Sequence, residues 1–311
     1  MKSSQDETSS PQTVTNSPSP SIASEDIFRA TIPPGTIIGA FIIERLLLPT
    51  INSEIYECQK VNPEQGNNTR YVAKVVKKDP QNMSRIEAET LALHSFTNPF
   101  LISPVNILDF PLFRIFIFVR CLDGDLLDFT RETTNRGEDF SEAFLARFFY
   151  HIAEGLKYIH EQGFIHGNIK PEKILLNRTQ RNELIPLICG FGYSQRIEEG
   201  SLIQDLKGTL NYAAPEILLG RGYSYSADVW SYGVTLFTVL TAHLPFAQLE
   251  LQHISLEDFN LEPLIDELRS ESVSEELIDL ISQLLNTNPD QRPSFNEILM
   301  HSWFDLFYST R

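Results

Sequence analysis

The chain has 311 residues, 42% of them hydrophobic and 11% aromatic, which is enough apolar material for one large globular domain or two small ones. Its 25 Lys and Arg stand against 41 Asp and Glu, a formal net charge of -16 that argues against a nucleic acid or an anionic membrane surface as partner. Cys58, Cys121 and Cys189 are widely separated and form no CxxC pair, so neither a disulfide framework nor a zinc site is expected.

Residues 1 to 32 are rich in Ser, Thr and Pro and carry almost no large apolar side chain before Ile27, so they are expected to form a disordered tail. Its Ser10-Pro11, Ser17-Pro18 and Ser19-Pro20 dipeptides suit proline-directed phosphorylation, but such dipeptides are common in any tail of this composition. With no apolar leader-like run and no Gly at position 2, the expectation is an intracellular protein, cytoplasmic or nuclear, and not a secreted one.

From Thr36 onward the pattern turns strand-like, in IIGAFIIERLLL (37–48), SEIYECQKV (53–61), RYVAKVV (70–76) and RIFIFV (114–119). A helix is predicted over Gln81 to Phe96, ahead of the Asn98-Pro99 stop. The apolar stretch from Phe100 to Val119 is interrupted by Pro104, Asn106, Asp109, Pro111 and Arg114, which favours two buried strands and a turn over a membrane span. After Leu122 the chain reads as mostly helical, with amphipathic runs at Ser141 to Gln162, Ala227 to Thr241, Ser274 to Leu285 and Ser294 to Leu299. No internal repeat is present.

Seven short motifs follow one another: Val72-Ala73-Lys74, HGNIKPEKILL from His166 to Leu176, Gly190-Phe191-Gly192, GTLNYAAPE from Gly208 to Glu216, SADVWSYGV from Ser226 to Val234, HLPF, and NPDQRPSFNEILMHSWF ending at Phe304. In this order, over nearly all of Thr36 to Phe307, they resemble the eukaryotic Ser/Thr protein kinase family, most closely its calmodulin-dependent type. The resemblance implies an α+β, bilobal protein kinase-like fold over 33–307, with a β-rich N-lobe at 33–119 and a helical C-lobe at 120–307. It implies that Glu216 pairs with Arg292 and that Asp228 caps backbone amides near the catalytic loop. Leu93, His166 and Phe191 would stack as a hydrophobic column, with Pro104 where a large aliphatic residue is usual.

Phosphoryl transfer depends on positioning: a lysine on the phosphates, metal ions bridging them, and a carboxylate beside the attacking hydroxyl. By resemblance Lys74 is that lysine, Glu89 its helical partner, and Lys170 the residue that marks Ser/Thr specificity; all three are retained. The catalytic aspartate is replaced by Asn168, which cannot accept a proton as a carboxylate does, and the preceding arginine by Gly167. Lys173 stands where an asparagine ligates the second metal, and Gly190, which has no side-chain oxygen, stands where an aspartate binds the principal one. The phosphate loop, Leu48 to Ser53, contains no glycine. Mg²⁺ binding is therefore not expected.

An ATP site, if kept, would be lined by Leu48, Ile55, Ala73, Lys74, Cys121, Asp125 and Leu175, with Phe118 at the gatekeeper place. An open slot and a core closed by Phe118 and Leu48 weigh about equally. A catalytic carboxylate and a metal clamp are each worth several kcal/mol of barrier, and about 1.4 kcal/mol is tenfold in rate. The main expectation is thus a pseudokinase, a non-catalytic scaffold or allosteric regulator that binds a protein partner such as an active kinase. The alternatives are an atypical active Ser/Thr kinase, with an acid such as Glu172 relocated into the base's role, and an ATP sensor without turnover. Lys173 has two readings: with Lys74 and Lys170 it neutralises phosphates without metal, or it points into solvent. Nothing in the residues speaks to oligomeric state.

Overall fold

In the first part of the domain, β-branched and aromatic residues alternate with polar ones and build an antiparallel sheet. The computed structural model describes residues 32–63, 68–179, 181–198, 200–205, 208–246 and 254–309; the tail expected before Ile32, with its Ser-Pro dipeptides, lies outside them. The strands are β1 (Ile37–Ile38), β2 (Phe41–Pro49), β3 (Glu54–Lys60), β4 (Tyr71–Lys77), β5 (Pro104–Asp109) and β6 (Phe113–Val119), in the spatial order β1-β2-β3-β4-β6-β5. The first expected strand is divided in two because Gly39, at φ +58°, turns the chain so that Ile38 faces Phe41. Phe41, Ile43, Tyr56, Cys58, Tyr71, Ala73, Val75, Ile115 and Ile117 form the buried face of the sheet.

The stretch from Phe100 to Val119 does form two strands, yet only β6 is well buried. β5 is the sheet's edge and leaves Val105 exposed, so the expectation of two buried strands is corrected. Between β4 and β5 lies α1 (Met83–Ser95), which ends at Phe96 just before Asn98-Pro99.

The C-lobe comprises α2 (Leu126–Asn135), α3 (Glu142–Glu161), the short strands β7 (Phe164–Ile165), β8 (Ile174–Arg178), β9 (Leu184–Ile188) and β10 (Gln195–Arg196), then α4 (Pro215–Leu218), α5 (Ser226–Thr241), α6 (Glu262–Ser270), α7 (Glu275–Leu284), α8 (Phe295–Ile298) and α9 (Asp305–Ser309). Helix starts follow their capping residues: Ser141, Ser274 and Ser294 each accept a backbone N–H from three residues on. At α8, Glu297 also reaches back to the Ser294 amide at 2.7 Å, completing a capping box. Helix α5 is buried on every side from Ala227 to Val239, as a helix at the centre of a lobe must be. A β-sheet N-lobe followed by a helical C-lobe gives the bilobal α+β architecture that the resemblance implied.

Candidate functional site

Three contacts place the site. On β4, Lys74 lies opposite Ile55 of β3 and Phe116 of β6, and its ammonium reaches both oxygens of Glu89 on α1 at 2.6 Å. On α5, Asp228 accepts the backbone N–H of His166 at 2.7 Å and of Gly167 at 2.9 Å, fixing the catalytic-loop segment to the core. Glu216 of α4 takes a two-pronged ion pair from Arg292 at 2.6 and 2.7 Å. All three were implied by the resemblance. His160, which had no assigned role, also meets Asp228, with Nε2 2.9 Å from the carboxylate.

The rings of His166 and Phe191 meet edge to face at 5.4 Å, and Leu93 is buried in the same core. Phe96 joins them at 5.2 Å from Phe191. Pro104 pairs in register with Phe118 on the sheet's edge strand and is only partly buried.

In the catalytic loop, Asn168 is buried, and its side-chain oxygen accepts both the amide and the hydroxyl of Thr209 at 3.0 Å. It ties down the segment that leads to α4. Gly167 adopts φ +73°, and a side chain there would come within 3.0 Å of the Tyr193 carbonyl. Lys170 pairs with Glu172 at 3.3 Å, while the second carboxylate oxygen of Glu172 is buried without a hydrogen-bond partner.

Lys173 is half-buried and does not point into solvent. Gly190 sits in the left-handed region at φ +84°, and a Cβ on it would lie 2.7 Å from Lys173 Cδ and 3.4 Å from Lys173 Nζ. The lysine occupies the space that a side chain at 190 would fill. Burial lowers the pKa of Lys173, and the charges of Lys74 and Lys170 lower it further against the opposing pull of Cys189 and Glu89. The two positions assigned to metal ligands thus offer a hydrogen and an ammonium. That donor set does not fit Mg²⁺, which requires oxygen ligands.

The phosphate loop has become a closed hairpin turn between β2 and β3. Thr50 Oγ1 accepts the amides of Ser53 at 2.9 Å and Asn52 at 3.4 Å, and the Thr50 amide donates to the Ser53 carbonyl at 2.8 Å. The amides of Thr50, Asn52 and Ser53 are thus engaged within the turn, and Ile51 at the tip is 94% exposed. The threonine-to-serine spacing of three residues was the available signal for this turn.

The expected adenine-side residues are distributed around the same region. Leu48 pairs with Ile55 across β2 and β3, Ala73 is buried, and Leu175 bridges Asp125. Leu48 is 56% exposed and so does not fill the slot, whereas Phe118 is buried. Asp125 caps α2 by accepting the Asp128 amide at 3.0 Å. Burial pushes its carboxyl pKa up, with the charges of Asp128 and Glu172 adding to the shift. The Cys121 and Cys189 thiols are both pushed to about 11, chiefly by burial.

The sequence matches the protein kinase domain over residues 52–304. Among curated relatives it is 30% identical to the Ser/Thr-protein kinase cds1 of Schizosaccharomyces pombe, over 83% of this chain and 58% of that protein. It is equally 30% identical to the ovarian-specific Ser/Thr-protein kinase Lok of Drosophila melanogaster, over 70% of this chain and 46% of the relative. The third, the DNA damage response protein kinase DUN1 of Saccharomyces cerevisiae, is 30% identical over 79% and 49% respectively. The chain spans about half the length of these relatives. With its motifs, bilobal fold and these matches in agreement, the chain belongs to the protein kinase family.

Proposed function

We propose that this chain is a pseudokinase, a kinase-fold protein over 33–307 that acts by binding as a scaffold or allosteric regulator. Its partner would be another protein, such as an active kinase. The observation that carries this reading is the Lys173 side chain lying against Gly190, an ammonium where the phosphate-bound metal needs an oxygen ligand. The self-satisfied Thr50–Ser53 turn and the engagement of Asn168 by Thr209 add to it. No helix among the described residues is long and apolar enough to cross a membrane.

A second reading, an atypical active Ser/Thr kinase using ATP, is favoured by the relatives, which are named as kinases. The intact 2.6 Å Lys74–Glu89 pair supports it too, as does Glu172, a carboxylate beside Lys170 with one oxygen unengaged. The two readings part in an assay of γ-phosphate transfer from labelled ATP, to the chain itself and to basic protein substrates, in Mg²⁺ and in Mn²⁺. Lys74→Met serves as the control for contaminating kinases. We expect equal incorporation by the wild type and the control. Transfer that disappears in Lys74→Met would overturn the pseudokinase reading, and its further loss in Glu172→Gln would assign the base.

A further inference from the structure

The cleft holds three lysines whose charges are not equally balanced. Lys74 is bound to Glu89 and Lys170 to Glu172, but the Lys173 ammonium has no hydrogen-bond or ion-pair partner among the described residues. Asp125 lies in the same cleft, yet its side chain is committed to the α2 cap. A half-buried, unpaired ammonium carries a desolvation penalty that an anionic ligand would relieve.

We propose that Lys173 is a built-in counter-charge, so that the cleft binds a nucleoside polyphosphate without a divalent metal, the ammonium standing where metal would bridge the phosphates. The geometry that carries this is the packing of the Lys173 side chain into the space beside Gly190, where a Cβ would lie 2.7 Å from its Cδ and 3.4 Å from its Nζ. The inference rests on the reading of this chain as a kinase fold that binds without turnover. It differs from that reading in its test, since it concerns binding and not transfer.

The experiment is calorimetric titration of the full chain with ATP and with adenosine, each in EDTA and in Mg²⁺, followed by the same titrations of two variants. ATP is expected to bind in EDTA at least as tightly as in Mg²⁺, and more tightly than adenosine. Lys173→Met should weaken metal-free ATP binding by about tenfold or more, with adenosine unchanged, as loss of one charge-assisted contact requires. Should Lys173→Met fail to fold, Lys173→Gln gives an independent answer. Gln keeps a polar side chain at 173 without the charge, and it should weaken metal-free ATP binding in the same way. ATP binding that requires Mg²⁺ would overturn the proposal, as would equal affinity for ATP and adenosine or variants that bind like the wild type. Absence of any ATP binding would overturn it as well, while leaving the pseudokinase reading to stand or fall on the transfer assay.

Discussion

Arg292 and Lys173 are both basic side chains held inside the C-lobe, and they stand in opposite electrostatic situations. Arg292 is fully buried and charge-balanced, with four hydrogen bonds: two to Glu216, one to the Asn286 carbonyl at 2.7 Å and one to the Ser226 carbonyl at 3.0 Å, its guanidinium lying 5.0 Å over the Trp230 ring. Lys173 has no such partner among the described residues and lies where a side chain at 190 would stand. The contrast separates two demands on one fold. Contacts that hold the lobe together are charge-balanced, whereas the positions that the resemblance assigns to metal ligands carry a lysine and a glycine. The first set does not depend on the second, because the Asp228 and Glu216 anchors bond to backbone and to Arg292 and not to Lys173.

The largest effect is expected where balance is complete. Glu216→Ala would leave the Arg292 guanidinium buried and half-answered, at a cost of about 3–5 kcal/mol. For a domain of this size that is a fall in the thermal midpoint on the order of 10 °C. A fall within about 2 °C, read by scanning calorimetry, would mean that the pair is not the anchor its geometry suggests.

Asp228→Asn comes next, with an expected loss of about 2 kcal/mol, because two backbone amides and His160 then meet a neutral group. The loss should depend on pH. Burial pushes the Asp228 carboxyl pKa up, but the hydrogen bond and charge of His160, the charge of His166 and the His166 amide outweigh it and hold the pKa below the ordinary value. A carboxylate depressed in the folded state contributes stability that is fully present above its unfolded pKa of about 3.9 and is lost as pH falls from there through the folded value. Denaturant titrations of the wild type and Asp228→Asn should therefore differ most above about pH 5 and converge in acid. Parallel curves at every pH would remove Asp228 from the acid sensitivity.

Lys173→Met carries the comparison to the opposite sign. Replacing an unpaired, half-buried ammonium by an apolar chain of similar length should leave the ligand-free protein unchanged or up to about 1 kcal/mol more stable. A loss like that of Glu216→Ala would show that Lys173 is a structural partner and not a free charge.

How far the residues alone foretold this arrangement depends on how local each cause is. Capping serines marked the starts of α3, α7 and α8, and motif order placed Lys74 with Glu89 and Glu216 with Arg292, across 15 and 76 positions of chain. The direction of Lys173 was not legible, since it turns on the left-handed backbone at Gly190 and on the space left by the absent Cβ. Nor was the exposure of β5, because an edge strand is defined by the neighbour it lacks. His160 looked like any helix histidine; its contact with Asp228 arises only when α3 and α5 pack together.

The smallest effect is expected from restoring a single catalytic group. Among the described residues the Asn168 side chain bonds only through its oxygen, as an acceptor from Thr209, and a carboxylate can accept the same two bonds. Asn168→Asp should therefore fold with stability within about 1 kcal/mol of the wild type, the difference being the cost of a buried charge that two donors partly repay. It would restore a proton acceptor to the loop without restoring any oxygen ligand at Gly190 or removing the ammonium of Lys173. Phosphate transfer by Asn168→Asp should then remain at the level of Lys74→Met in the labelled-ATP assay. If this one substitution awakened transfer, the cleft would be tolerating Lys173 beside the phosphates during chemistry, and the atypical-kinase reading would displace the pseudokinase one.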